Sequence, residues 1–121
     1  MWRTALYTPF YPNGNLCSFL KDHSKTLTTQ NVRTMSHDVL QMLEQLRSME
    51  IVHRDLKPAN IVVSSRMRLC LVDFGSAVQF KHRMANTGRV MTTAIVRAPE
   101  VLCRSTSYSY EVDVWAAGIV L

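Results

Sequence analysis

The apolar positions in the first half of the chain predict a strand, a turn and two helices. Residues 4–10 are strand-like, and the Pro, Asn and Gly of residues 11–15 are typical of a turn. Leu16, Phe19 and Leu20 then follow at helical spacing and predict a short helix. A longer helix is predicted over residues 29–49, with Thr28 as its N-cap and Leu27 and Val32 as a hydrophobic staple. Its apolar stripe consists of Val32, Met35, Val39, Met42, Leu43, Leu46 and Met49.

The second half alternates between β-prone, polar and apolar stretches. Residues 60–63 and 69–72 are β-prone, and the segment 64–66 between them is typical of a hairpin connection. Residues 76–93 show no periodicity and predict a long loop, and loops of that length within compact domains are usually functional. Residues 111–121 predict an apolar helix.

Composition narrows the class of protein. The chain has 121 residues, of which 47% are hydrophobic and 19% charged, as in an ordinary globular domain. The net charge of +5 is scattered, which favours a solvated basic face over nucleic-acid binding. Cys17, Cys70 and Cys103 are widely separated, and no signal-like or membrane-spanning apolar stretch occurs. We therefore expect an intracellular protein, in the cytoplasm or nucleus, with neither nucleic acid nor membrane as a partner.

Three short motifs carry the candidate chemistry. HRDLKPAN occupies residues 53–60, DFG occupies residues 73–75 and APE occupies residues 98–100. Together, and in this order, they resemble the catalytic loop, the metal-binding triplet and the loop terminator of eukaryotic protein kinases. The resemblance implies transfer of a phosphoryl group from ATP to a protein hydroxyl.

The resemblance implies a role for each polar residue of these motifs. Asp55 would accept the proton of the substrate hydroxyl, and Lys57 would offset charge on the transferred phosphate. Asn60 and Asp73 would supply oxygen ligands to Mg²⁺, which prefers such ligands. Lys57 at its position resembles the serine/threonine branch, so ATP, Mg²⁺ and a serine or threonine protein substrate are the expected partners. The oligomeric state is left open.

Other positions gain meaning from the same resemblance. Val62 would support the adenine ring, while Phe10 and Tyr11 would lie in the hinge that contacts the cofactor, with Thr8 as gatekeeper. Asp113 resembles the buried aspartate that anchors the backbone of the catalytic loop.

Two more residues are interpreted as packing residues rather than chemical groups, namely His53 and Phe74. Arg97, directly before the APE motif, resembles the branch that contains the cyclin-dependent, MAP and glycogen-synthase kinases.

Regulation is expected in the loop that follows the DFG motif. The resemblance implies that Arg54 pairs with an activating phosphate, for which Thr87 is the candidate acceptor. Thr93 is expected to tie the substrate-docking loop to Asp55 and Lys57.

The expected fold class is α+β, namely the mostly helical C-terminal lobe of a kinase with a small β element around the catalytic loop. The expected boundaries are the hinge and first helix at 1–20, the long helix at 29–49, the catalytic loop to metal triplet at 53–75, the activation segment at 76–100 and the central helix from 111 to 121.

No glycine-rich phosphate loop precedes the hinge in these residues. We therefore expect an incomplete kinase domain without its N-terminal lobe, inactive when isolated. A catalytically dead kinase or a pseudokinase-like binding module remains the alternative.

Overall fold

The computed structural model describes residues 5–80, 94–105 and 108–121. Over these ranges the chain forms four helices, four short strands and three 3₁₀ turns. The helices are α1 (Leu16–His23), α2 (Thr29–Ser48), α3 (Pro99–Leu102) and α4 (Glu111–Val120). The strands are β1 (Ile51–Val52), β2 (Ile61–Val63), β3 (Leu69–Leu71) and β4 (Val78–Gln79). The 3₁₀ turns are Pro58–Asn60, Phe74–Ser76 and Ala94–Val96.

The predicted strand at residues 4–10 is wrong over its described part, residues 5–10. These residues form no regular secondary structure, and Leu6, Tyr7 and Phe10 are all exposed. A strand needs a neighbour for its backbone hydrogen bonds, and no strand in the described ranges pairs with this segment. The turn that follows is confirmed, because the Gly14 amide donates to the Tyr11 carbonyl at 3.1 Å. Gly14 has φ of +68°, a conformation that favours glycine.

Both helices predicted in the first half of the chain are confirmed, and local hydrogen bonds explain where they begin. The Asn15 side chain accepts from the Ser18 amide at 3.0 Å and caps α1. Thr28 caps α2 as predicted, since its hydroxyl accepts from the Asn31 amide at 3.2 Å. The Asn31 side chain accepts in return from the Thr28 amide at 2.9 Å, which completes a capping box.

The apolar stripe of α2 faces the core along its middle and is open at its ends. Met35, Val39 and Leu46 are buried, whereas Val32 and Met49 are about half exposed. The same face contacts β1, β3 and α4. Burial of these apolar side chains stabilises the packing of α2 against one strand of each small sheet.

The predicted hairpin is confirmed, and a second sheet was not predicted. β2 pairs with β3 in antiparallel register, with Val62 opposite Cys70. β1 pairs with β4, with Val52 opposite Val78. The loop prediction for residues 76–93 is therefore wrong at its start, because two residues give no periodicity from which to recognise β4. Residues 81–93 lie outside the described ranges.

One hydrophobic core joins the helices to the hairpin. It contains buried side chains from α1, α2, β2, β3 and α4, and Leu56 of the catalytic loop lies within it. α4 confirms the predicted helix at residues 111–121, with Ala116 and Ala117 buried. None of the helices in the described ranges is both long and apolar enough to cross a bilayer.

Candidate active site

The catalytic loop, residues 53–60, connects β1 to β2 in the sequence, and a side chain of α4 binds its backbone. Asp113 is buried, and its two carboxylate oxygens accept from the backbone amides of His53 at 2.7 Å and Arg54 at 2.9 Å. Burial raises the pKa of Asp113, and the two amide hydrogen bonds oppose that rise. The predicted anchoring role of Asp113 is thereby confirmed.

His53 is fully buried and acts as a structural link, as predicted. Its Nδ1 faces the Asp55 amide at 3.3 Å, and its Nε2 faces the Val72 carbonyl oxygen at 3.2 Å. An amide can only donate and a carbonyl can only accept, so these partners assign the proton to Nε2. The Phe74 ring packs edge-on against the imidazole, with centroids 4.9 Å apart. His53 thus joins the catalytic loop to the residues on either side of Asp73.

The two carboxylate oxygens of Asp55 differ in their hydrogen bonding. Its Oδ2 accepts from Lys57 Nζ at 2.8 Å and from Asn60 Nδ2 at 2.9 Å. Its Oδ1 is buried and has no hydrogen-bond partner within the described part of the chain. Leaving a buried carboxylate oxygen unpaired costs free energy, so such an atom calls for an explanation. An incoming donor, such as a hydroxyl group, would satisfy it.

Asn60 is oriented by the same contacts. Its side-chain Nδ2 donates to the backbone carbonyl oxygen and to Oδ2 of Asp55, both at 2.9 Å. The side-chain oxygen, Oδ1, is therefore the polar side-chain atom of Asn60 that remains for a ligand. The Asn60 carbonyl oxygen accepts from the Val72 amide at 2.9 Å. This backbone bond brings Asp73, the next residue, close to Asn60.

Asp73 adopts a left-handed backbone conformation, with φ of 64° and ψ of 72°. Its Oδ1 accepts from the Gly75 amide at 3.3 Å, and a Cβ placed on Gly75 would lie 3.2 Å from the same oxygen. Backbone strain of this kind concentrates at functional sites. Because Gly75 has no side chain, the Asp73 carboxylate has room to lie beside the Gly75 backbone.

The donor set suits a hard cation. Asn60 offers an amide oxygen and Asp73 an exposed carboxylate, and Mg²⁺ is commonly bound by one or two such protein ligands together with phosphate oxygens. Within the described ranges, no group of three or more His, Cys, Asp or Glu side chains could enclose a metal by itself. Asn60 and Asp73 are thus suited to hold Mg²⁺ that is shared with a nucleotide.

The predicted cofactor residues are only partly brought together. Val62 is half-buried on β2 and pairs with Cys70 on β3. Tyr11 begins the turn whose Gly14 carbonyl oxygen accepts from the Val63 amide at 2.9 Å, so this turn lies beside β2. Interaction with the Cys70 thiol, and then burial, raises the pKa of the Tyr11 hydroxyl. Phe10, by contrast, is 88% exposed.

The β2–β3 hairpin is held in place by a charged pair that was not predicted. Arg68 Nε donates to both oxygens of Asp38, at 2.8 and 2.9 Å, and the Leu69 amide donates to Asp38 at 2.9 Å. Burial alone would raise the pKa of Asp38, but the bonds from Arg68 and Leu69 lower it overall. The sequence carried a signal for this pair, because Asp38 lies on the buried stripe of α2 between Met35 and Met42.

Through its side chain, Arg54 links two further segments of the chain. Its backbone has φ of 67°, its Nε donates to the Ser76 carbonyl and its Nη1 donates to the Tyr108 hydroxyl at 3.1 Å. Sequence reasoning missed both side-chain contacts, since no local pattern relates residues this far apart. Thr87 and Thr93 lie outside the described residues, so their roles stay predictions.

Three features together are typical of the C-terminal lobe of a protein-kinase-type fold. They are the buried Asp113 that binds the catalytic loop, the Asp55 carboxylate bound by Lys57 and Asn60, and the backbone bond from Val72 to Asn60. The sequence profile of the protein kinase domain matches residues 3–121, and the chain belongs to that family.

Individual proteins agree with this assignment. The chain is 37% identical over 106 residues to serine/threonine-protein kinase 4 homolog A of Dictyostelium discoideum, which covers 88% of the chain and 23% of that protein. It is 36% identical over 111 residues to serine/threonine-protein kinase ICK of Rattus norvegicus, which covers 92% of the chain and 18% of that protein. The chain thus spans about a fifth of the length of these two relatives.

A solved structure shows the same fold. A chain of the yeast RNA polymerase II CTD kinase CTDK-1 complex superposes with a TM-score of 0.82 and 31% identity. The superposition covers 89% of this chain and 35% of that one. The predicted fold class and the predicted resemblance to serine/threonine kinases are confirmed.

Proposed function

We propose that this chain belongs to a serine/threonine protein kinase that uses ATP and Mg²⁺. The chain would supply the residue that accepts the proton of the substrate hydroxyl and the residues that bind Mg²⁺. The observation that supports this most directly is Oδ1 of Asp55, which is buried and has no hydrogen-bond partner among the residues that the structure describes. Its neighbour Oδ2 is fixed by Lys57 and Asn60, so the carboxylate cannot rotate freely to find another donor. A substrate hydroxyl is a donor of the right size to reach Oδ1.

The reaction then follows from the positions of these groups. The hydroxyl of a serine or threonine donates its proton to Asp55, and its oxygen forms a bond to the γ-phosphorus of ATP while the bond to ADP breaks. Lys57 Nζ, 2.8 Å from Asp55, provides a positive charge beside the transferring group. Bound Mg²⁺ would neutralise phosphate charge, and Asn60 and Asp73 are the residues that would hold it.

The nucleotide base would lie against the hairpin. Val62 offers an apolar contact from β2, and the turn that begins at Tyr11 lies beside the same strand, where the Val63 amide donates to the Gly14 carbonyl. Phe10 would join this surface only if the exposed segment at residues 5–10 folds against it.

The test is phosphoryl transfer by the natural protein. Matched peptides with serine, threonine or tyrosine as the only acceptor are incubated with radiolabelled ATP and Mg²⁺. We expect incorporation into the serine and threonine peptides and a loss of at least about 100-fold in the Asp55→Asn variant. Asp22→Asn, a change on the exposed face of α1, serves as the control. Binding of ATP without any transfer would favour the pseudokinase-like binding module instead, and a preference for tyrosine would contradict the interpretation of Lys57.

A further inference from the structure

We propose that Tyr108 is a positioning residue for the kinase reaction, because its hydroxyl holds the guanidinium of Arg54 in place. The inference rests on the proposed function and extends it to the loop that precedes α4. Tyr108 would act through Arg54, whose Nη1 donates to the Tyr108 hydroxyl at 3.1 Å.

The Tyr108 ring is fixed by its surroundings. It is 9% exposed and belongs to a small hydrophobic cluster with Val52 of β1, Ala98 before α3 and Val112 of α4. Such packing restricts the ring to one orientation. The hydroxyl is therefore presented at a defined point, 3.1 Å from Arg54 Nη1.

Arg54 connects the Tyr108 hydroxyl to the segment that follows Asp73. Its amide is bound by Asp113, and its Nε donates to the carbonyl of Ser76. Ser76 closes the 3₁₀ turn that begins directly after Asp73. Arg54 precedes Asp55 in the sequence, so its side chain spans from the candidate base to the segment that carries the candidate metal ligand.

The hydroxyl, and not the ring, is the part of Tyr108 that positions Arg54. Replacing Tyr108 by Phe keeps the buried ring but removes the acceptor for Arg54 Nη1, so the guanidinium that donates to Ser76 is held less firmly. Tyr110 offers a matched control in the same loop. Its ring packs against Phe80 with centroids 5.2 Å apart, and its hydroxyl bonds to no residue in the described ranges.

The test compares Tyr108→Phe with Tyr110→Phe in the natural protein. Because a hydrogen bond from a charged donor is lost, we expect Tyr108→Phe to lower kcat roughly tenfold while KM for ATP changes less than about twofold. Tyr110→Phe should leave both constants unchanged. In an Arg54→Ala background, Tyr108→Phe should have no further effect, as expected if Tyr108 acts only through Arg54.

A second readout separates this inference from the proposed function. The ¹⁵N resonance of Arg54 Nε reports its hydrogen bonding without any catalysis. We expect Tyr108→Phe to shift this resonance and to speed exchange of its proton, whereas Tyr110→Phe does neither. If the wild-type protein transfers no phosphate but the resonance responds in this way, the proposed function fails and the contact stands. Equal kcat values for the two variants in an active enzyme, or an unchanged Arg54 resonance, would overturn the inference.

Discussion

The carboxylate of Asp113 accepts a hydrogen bond from the backbone amide of His53 at 2.7 Å, across 60 residues of sequence. With the second bond, from Arg54, it holds the start of the catalytic loop against α4. The loop therefore depends on a buried side chain from another element for its shape. The contact fixes the backbone of His53 and Arg54, directly before Asp55.

Asp113→Asn tests that dependence. Asparagine keeps one acceptor oxygen but places an amide donor against the second backbone donor, so we expect a loss of about 2–3 kcal/mol in the free energy of unfolding. Urea unfolding of the natural protein measures it. Asp22→Asn, on the exposed surface, should change stability by less than about 0.5 kcal/mol. Equal stabilities of the two variants would show that the loop holds its shape without Asp113.

The Asp38–Arg68 pair predicts a pH dependence. Because contacts with Arg68 and Leu69 lower the pKa of Asp38 in the folded state below its ordinary value of 3.8, the unfolded chain binds more protons as the pH falls through that value. The stability that Asp38 contributes is thus fully present above pH 3.8 and is lost as the pH falls through the lower, folded-state pKa.

Asp38→Asn should therefore destabilise the protein near neutral pH by about 1–2 kcal/mol, and the difference from wild type should shrink in acid. Chemical unfolding at a series of pH values measures this. Glu44→Gln, an exposed change on the same helix, is the control and should follow the wild-type curve. A difference that stays constant from neutral pH into acid would contradict the assignment.

Asp73→Asn should separate metal binding from folding. Asparagine tolerates the left-handed backbone at this position, and its oxygen can still accept from Gly75, so the thermal midpoint should change little. Loss of the carboxylate charge should lower Mg²⁺-dependent transfer by about 100-fold or more. Transfer measured over a range of Mg²⁺ concentrations tests this. Unaltered Mg²⁺ dependence would exclude Asp73 as a ligand.

Thr87 is the predicted acceptor of an activating phosphate. A phosphate adds nearly two negative charges, which the Arg54 guanidinium could pair with by charge-assisted hydrogen bonds. We expect mass spectrometry of the protein from cells to find phosphate on Thr87, and Thr87→Ala to lower activity while Thr92→Ala, a change in the same stretch, has less effect. An unmodified Thr87 together with full activity of the alanine variant would end this proposal.

Much of the scaffold was predictable because its signals are local. The stripe of α2, the Thr28 cap and the paired runs around Val62 and Cys70 each lie within a short stretch of sequence. The HRDLKPAN and DFG motifs likewise identified the candidate site from adjacent residues. Asp113 was found only through the resemblance to kinases.

The misses share a physical cause. β1 and β4 are two residues each, and the contact of Arg54 with Tyr108 spans 54 residues, so neither leaves a local pattern. The segment at residues 5–10 shows the opposite, because a local pattern predicted a strand that the structure does not form. Its composition favours a strand, but strand formation depends on a partner, and the described ranges supply none.

The central claim is that Asp55 accepts the proton of the substrate hydroxyl, and Asp55→Asn tests it most directly. In the variant, the amide oxygen can replace Oδ2 as the acceptor for Lys57 and Asn60. The amide nitrogen takes the place of Oδ1, which bonds to nothing in ranges 5–80, 94–105 and 108–121. The site should therefore stay folded. Rapid-quench measurement of a single turnover, together with equilibrium binding of ATP, separates the chemical step from nucleotide affinity. We predict that transfer slows by about 100- to 10,000-fold while the Kd for ATP changes less than about threefold. A variant that transfers phosphate at the wild-type rate, or that loses ATP binding and not the chemical step, would contradict the role assigned to Asp55.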